Sequence, residues 1–116
     1  MKKIEIRDKK LRAAIQDDRL RQRLYGKDMA HKLKLRVNSL HAAESLADFW
    51  PPKSGPERCH ELTGDEAGKF SVDLKHPYRL IFIPTNMRAS TDDLDQRLRW
   101  LSITEIEILG IEDTHG

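Results

Sequence analysis

Two alternating runs of residues meet at His76-Pro77, and this feature constrains the fold more than any other in the chain. The first run sets Phe70, Val72 and Leu74 against Ser71, Asp73 and Lys75, and the second sets Tyr78, Leu80 and Phe82 against Arg79, Ile81 and Ile83. Alternation with a period of two is typical of strands with two distinct faces. Proline fixes φ and biases the preceding residue away from helix. The sequence therefore predicts a β-hairpin with a tight turn at His76-Pro77.

The length of that turn determines the face of the sheet on which Arg79 lies. A turn of two residues would place Arg79 on the face of Phe70 and Val72, whereas a longer turn would place it on the opposite face. The sequence leaves both arrangements open. It also leaves open which faces Lys69 and Lys75 occupy.

The residues before the hairpin predict a strand and two helices. The strand covers residues 1–7, and Asp8 can cap the helix that follows, which the Asp17-Asp18 pair interrupts or restarts. A longer helix covers residues 27–48, and Trp50-Pro51-Pro52 ends it because proline removes a donor and clashes with the preceding turn. This helix is therefore predicted to be the longest in the chain.

An apolar stripe on the longer helix predicts its buried face. The stripe consists of Met29, Leu33, Val37, Leu40, Ala43 and Ala47, spaced three and four residues apart. The opposite face carries Lys32, Lys34, Arg36 and Asn38. Spacing of this kind is typical of a helix packed against a sheet.

A short strand is also predicted over residues 58–62, followed by a turn over residues 63–68 that contains two glycines. Cys59 and His60 are neighbours in this strand, so their side chains are predicted to point to opposite faces.

The C-terminal part predicts a polar connection and one last strand. Residues 85–99 include Asp92, Asp93 and Asp95, whose spacing lacks the alternating ligands and the central glycine of a calcium loop. The last strand covers residues 101–112. Ile103 and Ile106 differ in parity within it, which indicates a bulge or a strand buried on both faces.

The predicted order β-α-α-β-β-β-β describes an α+β domain. The N-terminal strand and two helices precede a mainly antiparallel twisted sheet, the helices pack on one of its faces, and the other face is expected to be free. A chain of 116 residues with 38% apolar and 34% charged residues predicts one domain over residues 1–116. The single cysteine excludes an intramolecular disulfide. No apolar run approaches membrane-spanning length, and the N-terminus lacks the apolar segment of a signal peptide, so a soluble cytoplasmic protein is expected.

Charge is distributed unevenly along the chain. Residues 1–40 contain 13 Lys and Arg against 5 Asp and Glu, whereas residues 41–116 contain 8 against 14. The first part therefore has a net charge of +8 and the second of −6. A basic segment attached to an acidic one suggests one surface for a polyanion and another for a basic partner.

Two blocks of sequence resemble toxins of the RelE/ParE superfamily, most closely the HigB-type killer proteins of type II toxin–antitoxin systems. The first block is CHELTGDEAGKFSVDLKHPYRLIF, and the second is the ending ILGIEDTH. The resemblance implies a RelE-like fold and a ribosome-dependent endoribonuclease that cuts messenger RNA and inhibits translation without a metal or cofactor. The implied partners are the ribosome, messenger RNA and a cognate antitoxin, expected to be a small helix-turn-helix protein.

The resemblance also implies site residues. The catalytic candidates are His60, Arg79, Asp113 and His115, which are expected to gather at one end of the exposed sheet face. The RNA-binding candidates are Arg58, Thr63, Lys69, Lys75 and Thr114. Thr63 and Thr114 stand where the family often has lysine and tyrosine.

The implied chemistry suits these residue types. Cutting RNA without a metal requires a base for the 2′-hydroxyl, a cation for the charge that develops at phosphorus, and an acid for the leaving 5′-oxygen. Histidine titrates near neutral pH, and the arginine fork matches phosphate oxygens. Two alternatives stay open: a ParE-like toxin of the same fold that binds DNA gyrase without catalysis, and a small RNA-binding or adaptor domain.

Overall fold

Residues 1–86 and 95–113, which the computed structural model describes, fold as helices on one face of a mixed sheet. The strands are β1 (Lys3–Ile6), β2 (His60–Glu61), β3 (Phe70–Asp73), β4 (Tyr78–Pro84) and β5 (Glu105–Asp113). The helices are α1 (Lys9–Gln16), α2 (Asp18–Tyr25), α3 (Lys27–Ala42) and α4 (Gln96–Ser102), with 3₁₀ turns at Leu46–Phe49 and Gly64–Glu66. The strand order is β1-β5-β4-β3-β2, parallel between β1 and β5 and antiparallel elsewhere. The predicted α+β class and the mainly antiparallel sheet are confirmed.

The predicted first helix is two helices, because Asp17 ends one and caps the next. Its carboxylate accepts hydrogen bonds from the main-chain N–H groups of Arg19 and Leu20 at 3.0 and 3.1 Å. Asp8 caps α1 in the same way through the N–H of Leu11, at 3.0 Å. The predicted interruption at Asp17-Asp18 is therefore confirmed, and three helices precede the main sheet.

α3 ends at Ala42, so its predicted end at residue 48 is wrong. The hydroxyl of Ser45 accepts a hydrogen bond from Ala47 N–H at 3.2 Å, which starts the 3₁₀ turn. This local bond competes with continued helix. The predicted stripe from Met29 to Ala43 is buried and Ala47 is partly buried against the same core. The inward face was predicted correctly, although the backbone that carries its last residue is not α-helical.

Arg36 lies on the buried side of α3, contrary to its predicted solvent position. It is 5% exposed, and its Nε donates to the main-chain oxygen of Asp73 at 2.6 Å. Arg36 lies three residues beyond Leu33 and one before Val37, so its side chain leaves the helix on the same side as the apolar stripe. A carbonyl at the end of β3 gives the guanidinium its partner there.

The turn between β3 and β4 is the longer of the two alternatives. Asp73 pairs with Arg79, and Leu74 N–H donates to Tyr78 O at 3.0 Å, which leaves Lys75-His76-Pro77 as the loop. Residues paired across strands share a face, so Arg79 lies on the same face as Asp73. Asp73 alternates with Val72 and Leu74, which pack in the core, so this face points away from the helices. Here the face bearing Arg79 is called the outer face.

β5 begins at Glu105, because residues 101 and 102 belong to α4; the strand predicted from residue 101 is thus wrong at its start. Of the two alternatives predicted from Ile103 and Ile106, a bulge is present, but Ile103 precedes the strand, so the bulge does not lie between those two residues. Ile81 pairs with Gly110 and Phe82 with Ile108, so Leu109 is the extra residue. The bulge lets Ile108 and Ile111 both pack toward the helices, although they are three residues apart.

The outer face is closed at its centre, contrary to the expectation that it would be free. Ser71 and Ile81 pair with each other there, and both are 0% exposed. Accessible polar groups on this face therefore lie toward the ends of the strands.

In the part of the chain that the structure describes, no helix has the length and apolar character needed to cross a membrane.

Cys59 is directed into the core and is 0% exposed, on the opposite side of β2 from His60. Burial raises the pKa of its thiol well above the usual value. Because the thiolate is the reactive form, we expect Cys59 in the native protein to resist thiol-specific alkylation and to react fully after denaturation. Mass spectrometry of the labelled protein measures both. Rapid stoichiometric labelling of native protein would contradict this placement.

Candidate active site

Four charged residues form a row across one end of the outer face, and they alternate in sign. In the strand register, Asp73 on β3 lies directly opposite Arg79 on β4, and Arg79 lies directly opposite Glu112 on β5. On the other side of Asp73, Arg58 Nε lies 3.3 Å from Oδ2. Arg79 Nε lies 3.4 Å from the other oxygen, Oδ1. This charged row therefore places two guanidinium groups on either side of one carboxylate.

His60 lies beside the charged row on the same face. It pairs with Ser71, two residues along β3 from Asp73, and residues two apart in a strand share a face. His60 Nδ1 is 2.9 Å from the main-chain oxygen of Arg58. A carbonyl oxygen only accepts, so Nδ1 carries the proton and Nε2 is the nitrogen that can take up another.

His60 and Arg79 line the same open cleft, which has a volume of about 660 Å³. Thr63 also lines it, in the turn whose Gly64 has φ of +65°. Positive φ suits glycine because it has no Cβ, and this allows the chain to turn tightly at the rim of the cleft. Three of the predicted site residues therefore share one cavity.

The cleft has three charged lining residues that sequence reasoning did not select: Lys53, Glu61 and Arg99. Arg99 Nη1 of α4 lies 2.6 Å from Glu61 Oε1 of β2, and both side chains are largely buried. This ion pair joins two elements that are distant in sequence, so no local pattern could have indicated Arg99. For Glu61, the position directly after His60 was the one sequence signal that it lines the same cleft.

Asp113 lies outside this cluster. It ends β5 and pairs with Tyr78, one residue out of step with Arg79, so its side chain leaves the sheet on the opposite face. β5 does pair centrally beside β4, as expected if the chain end is to approach Arg79. The expected gathering of the candidates on one face therefore holds for His60 and Arg79 and not for Asp113. His115 and Thr114 lie outside the described residues.

The two lysine candidates occupy different places. Lys69 lies at the far end of β3, two residues before Ser71, and pairs with Glu66 at 2.7 Å. The hydrogen bond that this amine donates to the Glu66 carboxylate raises its pKa. Lys75 lies in the β3–β4 loop, and its Nζ is 3.5 Å from Asp28 Oδ2 of α3. Neither lysine lines the cleft.

Within residues 1–86 and 95–113, no cluster of three or more His, Cys, Asp or Glu side chains has an arrangement able to hold a metal ion. The acidic pair Asp92 and Asp93 lies outside those residues.

The fold is similar to the RelE-like fold of small α+β toxins. Three of the similar solved structures are as follows. A YoeB/ParE toxin from Agrobacterium tumefaciens aligns with a TM-score of 0.56 at 12% identity, covering 97% of this chain and 99% of that one. A YoeB-YefM complex from Staphylococcus aureus aligns at 0.54 and 13% identity, covering 99% of each chain. The YoeB dimer from Staphylococcus aureus aligns at 0.53 and 14% identity, covering 97% of each.

These similarities establish the fold over nearly the whole chain. No protein-family model matches the sequence. No curated protein matches it either.

Proposed function

We propose that this chain is the toxin of a type II toxin–antitoxin system and that it cuts messenger RNA on the ribosome, as a HigB-type toxin does. The observation that supports this most is that His60 and Arg79, which both lie on the outer face, line one cleft. An imidazole and a guanidinium facing the same space are suited to cleaving a phosphodiester. The similarity of the fold to YoeB and ParE toxins adds to the proposal.

In the proposed reaction, the 2′-oxygen of the RNA attacks the adjacent phosphorus as the bond from phosphorus to the 5′-oxygen breaks. His60 Nε2 accepts the proton of the 2′-hydroxyl, and Arg79 binds the phosphate oxygens whose charge increases in the transition state. A second acid donates a proton to the leaving 5′-oxygen. His115 is proposed for this role and Asp113 for orienting a histidine. The products are a 2′,3′-cyclic phosphate and a free 5′-hydroxyl.

The remaining candidates are proposed to bind the RNA strand. Arg58 extends the charged row, and Thr63 lies at the rim of the cleft. Lys69, Lys75 and Thr114 are proposed as outlying contacts. The proposed partners are the ribosome, messenger RNA and a cognate antitoxin, and the proposed location is the cytoplasm.

The test is induced expression of the chain in bacteria, followed by mapping of messenger RNA ends in a translating extract with and without ribosomes. We expect growth arrest, together with cuts that occur within codons and require ribosomes. Growth arrest with intact messenger RNA would overturn the nuclease proposal. It would favour a gyrase-binding toxin, a function consistent with the ParE name carried by one similar structure. Coexpression with the product of a neighbouring small reading frame tests for the antitoxin.

Binding to ribosomes is predicted to weaken steeply with added salt, because residues 1–40 contain 13 Lys and Arg against 5 Asp and Glu. Phosphate contacts release counterions, so affinity falls as salt rises. We expect at least about a tenfold fall between roughly 50 and 200 mM salt. Cosedimentation with ribosomes measures it. Replacing exposed Lys9 and Lys10 of α1 with glutamine should reduce the dependence, and salt-independent binding by the parent would contradict the prediction.

A further inference from the structure

Asp73 is held by three arginines that come from three separate segments of the chain. Its carboxylate contacts Arg58 and Arg79, at 3.3 and 3.4 Å. Its main-chain oxygen accepts from Arg36 Nε at 2.6 Å, and its main-chain N–H donates to Glu57 O at 2.8 Å. The main chain of Asp73 is therefore fixed by bonds that do not involve its carboxylate, and the carboxylate is left to organise the other two arginines.

In both contacts the guanidinium atom nearest to the carboxylate is Nε. The side-chain hydrogen bonds of the described residues include none from a terminal Nη group of either arginine, so these groups are placed to bind a ligand. Among the described residues, Arg58 and Arg79 each form one ion pair, and in both cases the partner is Asp73. The Arg79 side chain is 26% exposed and lines the cleft with His60. That of Arg58 is 52% exposed. Two Nη forks are the geometry that binds phosphate oxygens in pairs.

We propose that Asp73 is a positioning residue that holds Arg58 and Arg79 as a two-armed clamp for the phosphodiester backbone of single-stranded RNA. The inference rests on the proposed function and adds a residue that none of the sequence patterns indicated. Two neighbouring guanidinium groups repel each other, and a carboxylate between them offsets that repulsion. Ordering both long side chains before RNA arrives reduces the entropy lost on binding.

A competing role for Asp73 predicts a change in RNA affinity of the opposite sign. If its carboxylate only competed with phosphate for the arginines, removing it would make the site more positive and would tighten RNA binding. If Asp73 positions the arginines, its removal weakens binding despite the gain in positive charge. The sign of the change therefore separates the two roles.

The experiment compares Asp73→Asn with the parent in binding a fluorescently labelled single-stranded RNA oligonucleotide at low salt, by anisotropy. We expect about a tenfold loss of affinity, similar to that of Arg79→Ala, and partial recovery in Asp73→Glu. Glu107→Gln is the matched control. Glu107 also forms an ion pair with an arginine, Arg7 at 2.7 Å, but neither residue lines the cleft or belongs to the charged row. Its replacement removes the same charge and should leave affinity unchanged or raise it.

If Asp73→Asn does not fold, Arg58→Lys provides a second test of the proposal. Arg58 is exposed and contributes no core packing, so this variant should fold. Lysine keeps the charge and loses the fork, so the clamp requires weaker RNA binding. Parent-like or tighter binding by folded Asp73→Asn, or parent-like binding by Arg58→Lys, overturns the proposal. These affinities are measured without ribosomes or cleavage. A parent chain that cuts no messenger RNA would therefore refute the nuclease proposal and leave the role of Asp73 to be decided separately.

Discussion

Arg79→Ala is expected to abolish growth arrest and to reduce cleavage of translated messenger RNA by about 100- to 1,000-fold. The guanidinium is the cation that β4 directs into the cleft beside His60, where negative charge would develop at phosphorus. Preorganised groups aimed at developing charge supply the largest single contribution in many enzymes. Mapping of messenger RNA ends in a translating extract measures the loss.

The control for this variant is Arg19→Ala, which removes an equal charge from an exposed position on α2. It should cut messenger RNA like the parent. Arg79→Ala should also fold, because Asp73 keeps its ion pair with Arg58; cooperative thermal unfolding checks this. If folded Arg79→Ala arrests growth and cuts messenger RNA at the parent rate, Arg79 is not catalytic and the cleft is not the nuclease site.

Leu33→Asp is expected to prevent folding. Leu33 is 0% exposed in the middle of α3, and its side chain packs in the main core. Removing a buried leucine side chain by itself costs about 2–5 kcal/mol, and burying an unpaired carboxylate adds several kcal/mol more. The sum takes most of the roughly 5–15 kcal/mol that stabilises a typical domain. Solubility after expression and far-UV circular dichroism measure the outcome.

Leu35→Asp is the matched control on the same helix. Leu35 is 39% exposed, so the same substitution places its charge in water. We expect a soluble protein whose free energy of unfolding changes by about 0.5 kcal/mol or less. A folded Leu33→Asp variant with a cooperative transition would show that α3 does not pack through this face.

Local patterns were most reliable where one short-range interaction decides the structure. The carboxylates of Asp8 and Asp17 accept from N–H groups two or three residues away, so the beginnings of α1 and α2 follow from residue type and spacing. The bulge in β5 did not follow from a pattern in this way, because it was one of two alternatives predicted from Ile103 and Ile106, and Ile103 precedes the strand. The end of α3 was not predicted either, because alanine and leucine allow both α-helix and the 3₁₀ turn that Ser45 starts.

The candidate site also depends on features of the structure that local sequence patterns did not predict. His60 and Arg79 were proposed from a resemblance, yet their presence in one cleft depends on the loop Lys75-His76-Pro77 being one residue longer than a two-residue turn. One residue more or less moves every side chain of a strand to the other face. Arg36 was misplaced for a related reason. Its burial requires the carbonyl at the end of β3, which lies 37 residues away in the chain.

The sequence by itself determined the α+β class, the hairpin and the inward face of α3, because periodicities of two and of three to four residues directly reflect strand and helix geometry. The tertiary structure alone decided which charges meet. Arg36, Arg58 and Arg79 converge on Asp73, and Arg99 reaches Glu61, through strand register and helix packing that bring distant segments together. Such contacts depend on the relative placement of whole elements, which no local sequence pattern specifies.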